Sequence, residues 1–432
     1  SSKFAKDHRY AFFPSVSAAW RISEENFWQP LKGWWNDMKI RGSYGSLGNQ
    51  VMDNLGNFPY LATYGTNSSY NYLINGSKPV IVKAPGLVAS DFTWETVTQM
   101  DFGFDASFLN NRLTGTFDWY RRNTKDMLVA GATLPATLGA SVPKSNSADM
   151  KTIGWELSLG WNDRLENGFS YWVKGVLSDY QATITKYAGN DAGFYSQSDG
   201  DGKYYVGQKI GEIWGYHSNG LFQSDDEAAT IDQSELYAGK WGAGDVKYED
   251  LDGDGKITKG EETIYNPGDK SIIGNKTPRY QFGITVGFDY KNFDFEMFWQ
   301  GTGKRDYMLS GAQFWGFTSQ WDVPYTPALD YWTETNTDAY FPRPGWQNGG
   351  NRVTSDRYLQ SAAYGRLKNL TVGYTIPKNL TTKWGISRLR LYVTGENLLT
   401  ITPLNDAFDP ETLGGLTYPI NRKVAIGLNL TL

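Results

Sequence analysis

The chain has 432 residues, with 41 Lys plus Arg against 46 Asp plus Glu, a formal charge of −5, two histidines and no cysteine. Zero cysteine excludes a disulfide framework, a thiolate zinc site and a cysteine nucleophile, and two histidines (His8 and His217) leave little material for an imidazole metal centre or a Ser-His-Asp triad. Mild acidity without a basic block argues against nucleic acid as a partner, while 16% aromatics and 48 glycines beside only 40% hydrophobic residues point to a large β protein with long polar loops.

No run of 18 apolar residues occurs, so no spanning helix is predicted, and the opening SSKFAKDHRY does not read as a signal peptide. A membrane barrel escapes that test, because its strands alternate and never build an apolar run. Alternation is what the chain shows. Eleven period-two runs cover 15–22, 38–45, 94–108, 113–122, 154–161, 170–179, 280–290, 293–301, 364–376, 388–396 and 423–432. In the third, Trp94, Met100, Phe102, Phe104 and Phe108 oppose Glu95, Gln99, Asp101 and Asp105. In the seventh, Tyr280, Phe282, Ile284, Val286, Phe288 and Tyr290 place aromatics at both ends and aliphatics between, as an interfacial girdle requires. The last run sets Val424, Ile426, Leu428, Leu430 and Leu432 on one face.

The connections alternate in length. Segments 23–37, 109–112, 162–169, 291–292 and 377–387 hold 15, 4, 8, 2 and 11 residues; 46–93, 123–153, 180–279, 302–363 and 397–422 hold 48, 31, 100, 62 and 26. Short turns at one end and long loops at the other predict a transmembrane barrel with periplasmic turns, external loops and a periplasmic C-terminus. Eleven is odd, so the expectation is the C-terminal part of a larger barrel. Lys39, Arg41, Glu95, Asp101, Asp105, Asp118, Glu156, Asp289, Asp294, Glu296, Arg390 and Glu396 all fall on strands, where they are tolerable only facing water or a plug. A solvated face of a soluble sheet is the competing reading.

One motif carries its own chemistry. Asp250, Asp252, Asp254, Gly255 and Glu261 stand at positions 1, 3, 5, 6 and 12 of D-x-[DN]-x-[DN]-G-x5-E, with Lys256 offering a backbone carbonyl at 7 and Ile257 an apolar anchor at 8. Alternate carboxylates converge as the chain turns at glycine, and a late glutamate closes the sphere. The Gly-rich flanks predict a structural Ca²⁺ loop within an external loop, not a helix-loop-helix sensor; Glu262 is the alternative last ligand, and a solvated acidic turn the plain alternative. Asp225 and Asp226 could suggest a glycosidase pair, but nothing fixes two carboxyls across a cleft, so no catalysis is predicted.

Several segments resemble the SusC/RagA family of TonB-linked outer-membrane transporters. They are, in order, RYAFFPSVSAAWRISEENFW (9–28), KIRGSYGSLGNQ (39–50), WETVTQMDFGFDASFLNNRLTGTFDWYRRNTKDML (94–128), IGWELSL (153–159), GEIWGYHSNGLFQS (211–224), GDVKYEDLDGDGKIT (244–258), IIGNKTPRYQFGITVGFDYKNFDFEMFWQGTGK (272–304), YGRLKNLTVGYTIPKNL (364–380), LRLYVTGENLLTIT (389–402) and DPE (409–411). The resemblance implies an all-β fold, an antiparallel transmembrane β-barrel of 22 strands with an internal plug, of which this chain supplies about half. It implies import of oligosaccharides or oligopeptides with energy passed through TonB, and a SusD-like surface lipoprotein that lids the barrel, the two allowing a dimer of barrel–lipoprotein pairs. The mechanism it implies is lid opening, delivery to the external loops, and TonB-driven plug movement. The family's signal peptide, carboxypeptidase-like extension, TonB box and plug have no counterpart in these residues, and Leu432 stands where the family usually has Phe. A passive porin and a soluble β-rich carbohydrate-binding protein are the other readings. Trp214, Tyr216, Trp241, Trp315, Trp321, Trp332 and Trp346, all in the two longest loops, are the candidates for stacking on substrate; building the loop core or meeting the lipoprotein is the alternative for each.

Overall fold

The computed structural model describes the chain apart from residues 2, 51–57, 68–72, 75, 79, 89–91, 131–134, 141, 189, 191–192, 194–203, 346 and 415–417. Eleven strands form one antiparallel sheet in chain order. They are β1 Ser15–Arg21, β2 Trp35–Asn49, β3 Glu95–Phe108, β4 Leu113–Ala130, β5 Lys144–Arg164, β6 Ser170–Tyr187, β7 Arg279–Tyr290, β8 Phe293–Lys304, β9 Tyr364–Thr375, β10 Arg388–Ile401 and β11 Lys423–Thr431. Within this sheet each strand lies between its neighbours in chain order, and β1 and β11 are the two edges. No helix among the described residues is long and apolar enough to cross a membrane, which says nothing of a barrel.

Because side chains alternate across a strand, the register carries one face through all eleven. On one side lie Trp20, Ile40, Phe104, Phe117 and Leu157, each opposite the next. The same face continues through Leu177, Phe282 and, a strand further, Ile284 opposite Trp299, Val372 opposite Val393, and Val393 opposite Ile426. The other face is charged. Arg41 is gripped by Asp105 and Asp118, the latter through Nη2 and Oδ2 at 2.7 Å, and Arg390 reaches Asp294 across β9 with Nε–Oδ1 at 2.9 Å. Gly103 lies between Arg41 and Asp118; a Cβ there would sit 2.4 Å from Asp118 Oδ1 and 3.0 Å from Arg41 Cζ, so the cluster requires glycine.

Aromatic rings gather at the short-turn end. Phe108 stacks on Trp35 at 5.1 Å, Phe169 on Phe288 at 5.5 Å, Phe288 on Phe295 at 5.0 Å, and Phe293 meets Tyr374 at 4.7 Å. This is the belt a lipid–water boundary favours.

The eleven predicted runs are the eleven strands, but several extend further toward the long-loop end. β4 continues to Ala130 and β5 begins at Lys144, so the 31-residue loop predicted over 123–153 shrinks to 131–143, the same length as the turn 22–34. The reason is a pair of register shifts between Thr124 and Leu128, with Asp126 at φ 57°. The bulge breaks the period-two pattern while Leu128, Val129 and Ala130 still pair with Asn146, Ser145 and Lys144.

The long loops 188–278, 305–363 and 402–422 are not separate excursions. They share a core in which Tyr216, Tyr248, Ile257, Phe314, Tyr358, Leu404 and Phe408 are buried together. Trp315 meets Tyr358 at 4.6 Å, and Phe314 reaches Phe408 of the last loop at 6.3 Å.

Candidate functional site

The first six positions of the predicted calcium loop form a tight turn. Asp250 accepts the Gly253 N–H on Oδ1 and the Gly255 N–H on Oδ2, each at 2.7 Å; Asp252 accepts from Asp254 N at 3.1 Å and Asp254 from Lys256 N at 2.8 Å. Gly253 and Gly255 take φ of 80° and 83°, where a side chain would be strained. The carboxylates of Asp250, Asp252 and Asp254 each offer an oxygen within 4.8 Å of the others. The Gly255 N–H holds the Asp250 carboxyl below the usual range. Asp252 stands above it: the Asp254 N–H works to lower it, but desolvation and its acidic neighbours Asp254, Asp269 and Asp250 prevail. Ile257 is fully buried in the loop core, and its N–H donates to Asp232 O at 2.7 Å.

The donor set is all oxygen and suits a hard cation. The twelfth position is placed elsewhere. Glu261 lies outside the three-carboxylate group and on the wall of a neighbouring cleft, and Glu262 pairs with Lys270 at 2.9 Å. Asp269, fully buried, braces the loop instead: it accepts Leu251 N at 2.8 Å and Thr258 N at 2.7 Å, one on each side of the turn. It lies past the twelve-residue window, so the motif gives no sign of it.

The aromatic candidates divide. Tyr216, Trp315 and Trp332 are buried in the loop core, with Trp241 packed against it and donating its indole N–H to Tyr237 O at 3.1 Å. These four serve packing. Trp214 is half-buried and lines the cleft, Trp321 is 83% exposed, and Trp346 falls outside the described residues. The cleft encloses about 760 Å³ between Trp214, Tyr216, Glu235, Lys259, Glu261, Lys270 and Arg352.

Asp225 and Asp226 are not a catalytic pair across a cleft. Asp225 opens a short helix and binds Lys240 at 2.7 Å and the Ala243 N–H at 3.0 Å. His217 bridges two loops: Nδ1 lies 2.7 Å from Asp356 Oδ2 and Nε2 lies 2.7 Å from Ser271 Oγ. The order resembles a hydrolytic triad. By strand alternation, however, Ser271 faces away from Lys270 and the cleft it lines, so the chain of bonds fastens loop to loop.

At the mouth of the charged face, Arg366 is 2% exposed and meets Asp409 at 2.6 Å and Glu411 at 3.2 Å; Lys368 binds Glu411 at 2.9 Å. Two of the segments that carry the family resemblance, YGRLKNL and DPE, thus hold each other.

Residues 1–398 match the family model described as TonB dependent receptor-like, beta-barrel. The chain belongs to the TonB-dependent receptor family. Barrels of TonB-dependent receptors are outer-membrane proteins, and the family is one of transporters, not enzymes. Curated TonB-dependent receptors match along the whole chain: receptor P3 of Formosa agariphila is 31% identical, receptor P26 of the same organism 29%, and SusC of Bacteroides thetaiotaomicron 27%. The chain spans 43%, 43% and 41% of their lengths. The solved RagAB peptide transporter shares the fold, with a TM-score of 0.77 at 22% identity over 99% of this chain and 44% of that one. An eleven-stranded sheet is what about half of such a TonB-dependent receptor barrel supplies. The soluble reading falls with the family assignment, and the apolar face of the sheet is the one a TonB-dependent receptor turns to lipid.

Proposed function

We propose that the whole protein imports bulky nutrients, oligosaccharides or oligopeptides, across the outer membrane. Energy comes through TonB, and a SusD-like surface lipoprotein covers the barrel. The long loops face outward and the C-terminus lies in the periplasm. The remainder of the protein supplies the plug and the TonB contact, and pairs of barrel and lipoprotein assemble as a dimer. One observation carries this reading: SusC is similar over the entire chain, through the charged inner strands and the folded loops alike. Trp214 and Trp321 remain the ring faces available to a substrate. The test is uptake. Labelled oligosaccharide or oligopeptide should enter cells carrying the full-length protein and cease when TonB is removed; a lipoprotein should co-purify through a C-terminal tag after detergent extraction. Uptake that persists without TonB would establish the passive porin instead.

The finer proposal is a structural Ca²⁺ held by Asp250, Asp252, Asp254 and the Lys256 carbonyl, with Glu261 closing the sphere only by leaving the cleft wall. The bound ion would supply positive charge to three converging carboxylates and stiffen the 188–278 loop.

A further inference from the structure

Cations enter the apolar face of the sheet beside one pair of rings. Trp119 on β4 stands opposite Trp155 on β5, on the face that holds Phe104, Phe117 and Leu157. Alternation brings cations to the next outward positions. Arg121 stands opposite Ile153, Asn123 opposite Lys151, and Lys125 opposite Thr96 of β3. On β6, Lys186 stands opposite Asp149 of β5, while the adjoining Ala148 and Tyr187 are buried together on the other side. Arg121, Lys125 and Lys186 are exposed and Lys151 is half-buried. Residues opposite each other on a ladder lie about 5 Å apart, and next-but-one residues along a strand about 7 Å, so the heads of Arg121, Lys125 and Lys151 can converge on one anion.

The patch is local and its charge is not offset. The outward positions of β8 and β11 hold no Lys or Arg: they run from Phe293 through Trp299 to Gly303 and from Val424 to Leu430. Among the described residues none of the four cations has an ion pair, although the whole chain carries a net charge of −5. Arg121 Nε donates to Asn123 Oδ1 at 3.4 Å. The acids at this end of β4 and β5 are Asp126 and Asp149, at the bulge, where Asp149 accepts the Asp126 N–H at 2.9 Å. Asp179 of β6, opposite Trp155, is taken by Arg279. Four cations thus face two carboxylates.

A base among acyl chains is costly, whereas aromatic rings favour the lipid–water boundary, so the row past Trp119 and Trp155 stands at headgroup depth. β4 runs from the short turn 109–112 to the loop 131–143, which places Arg121 and Lys125 on the long-loop side of Trp119. Long basic side chains lay their stems on apolar surface while their heads meet phosphate.

We propose that this patch binds the phosphate groups of an outer-leaflet glycolipid, with Arg121, Lys125 and Lys151 around the phosphate, Lys186 at the edge, and Trp119 and Trp155 beside the acyl chains. Two observations choose that occupant: the unmatched positive charge, and its continuity with the lipid-facing surface directly below. The placement in the outer leaflet rests on the reading that the long loops face outward.

The test is native mass spectrometry of the full-length protein in detergent, titrated with three probes: diphosphorylated lipid A, the same lipid A stripped of both phosphates, and phosphatidylglycerol. Lipid A binds, and loss of its phosphates weakens binding about a hundredfold, at about fivefold for each of three cations. Arg121→Gln with Lys125→Gln and Lys151→Gln gives the same loss, with the heat-modifiable gel mobility of the folded barrel unchanged. Arg121→Lys with Lys125→Arg and Lys151→Arg keeps the charge and the binding. The proposal is overturned if the glutamine variant keeps wild-type affinity, if stripped lipid A binds as tightly as lipid A, or if phosphatidylglycerol binds as well as lipid A, the mark of a general anionic surface. Micelles have no leaflets, so these results do not depend on which way the loops face. Labelling of Trp321→Cys, against the parent protein, by a membrane-impermeant maleimide on intact cells reads the loop side separately. Labelling without lipid A binding overturns the patch alone, and binding without labelling overturns the outer-leaflet placement.

Discussion

Arg366 and Asp409 meet at 2.6 Å, one on the inner face of strand β9 and the other in the last loop. With Arg366 only 2% exposed, its charge is matched by Asp409 and Glu411, and its Nε donates to the Thr400 hydroxyl at 2.9 Å. The loop 402–422 is thereby fastened to the barrel wall. Removing one partner of a buried pair leaves the other uncompensated, typically at about 3–5 kcal/mol. Arg366→Ala is therefore expected to release the loop while the sheet stays folded. Hydrogen exchange should rise over 402–413 and stay low in β7 and β8; equal rises in both would show that the pair holds the sheet itself.

The calcium loop makes a separate prediction. Added Ca²⁺ at a hundredfold excess over its dissociation constant should raise the stability of the loop unit by about 2.7 kcal/mol, and Asp250→Ala should abolish the gain. Ligands must be ionised to bind, and Asp252 titrates above its usual range, so affinity should fall as pH drops through that group. A thermal midpoint unmoved by Ca²⁺ at neutral pH would leave the three aspartates as a solvated turn.

The short helix Asp225–Ala228 answers to pH in a direction that can be worked out. Ser224 Oγ accepts the Glu227 N–H at 3.1 Å and Glu227 accepts the Gln223 N–H at 2.7 Å, a reciprocal cap. The Gln223 N–H and then Lys247 hold the Glu227 carboxyl below its ordinary value, and Lys240 does the same for Asp225. A depressed carboxyl contributes stability that is present above its unfolded value, about 4, and is lost as pH falls through the folded one. Exchange at residues 223–230, corrected for intrinsic rate, should therefore quicken below about pH 4. Ser224→Ala should produce the same loosening at neutral pH, at about 1 kcal/mol.

The two faces of the sheet are distinguishable by substitution. Ile284 pairs with Trp299 on the apolar face, and Thr285 next to it points to the charged one. Ile284→Arg should cost about 2–4 kcal/mol if it lies at mid-membrane, whereas Thr285→Arg should be nearly neutral. Heat-modifiable mobility of the folded barrel in detergent gels reads the difference; equal tolerance at both positions would reverse the assignment of the lipid face.

The strands were legible because each must keep one face apolar and one polar over its whole span, and residues such as Phe102 and Asp101 cannot exchange sides without losing both. What escaped was set by events that alternation does not record. The bulge at Asp126 shifts register within the β4–β5 ladder, so the pattern stops where the pairing does not. The calcium motif was readable up to Lys256, since the Gly turn and alternating aspartates act locally. Its brace, Asp269, and the position of Glu261 depend on how residues 258–269 fold back, which no spacing rule contains. Trp315 and Trp332 have the composition of binding residues, and only their burial assigns them to packing. The pairing of His217 with Ser271 and Asp356 joins residues far apart in the chain, and nothing near His217 announces it.

The three long loops meet in one core, with Phe314 of one touching Phe408 of another and Tyr216 of the third buried beside them. Diversification of the long loops is therefore constrained by a shared interior. A change at Phe314 must be answered in two other segments, whereas Trp321, Val323 and Leu329, at 83%, 77% and 59% exposure, can vary alone. New ligand preferences should accumulate at such rim positions first, and transplanting a single loop between relatives should fail where transplanting all three succeeds.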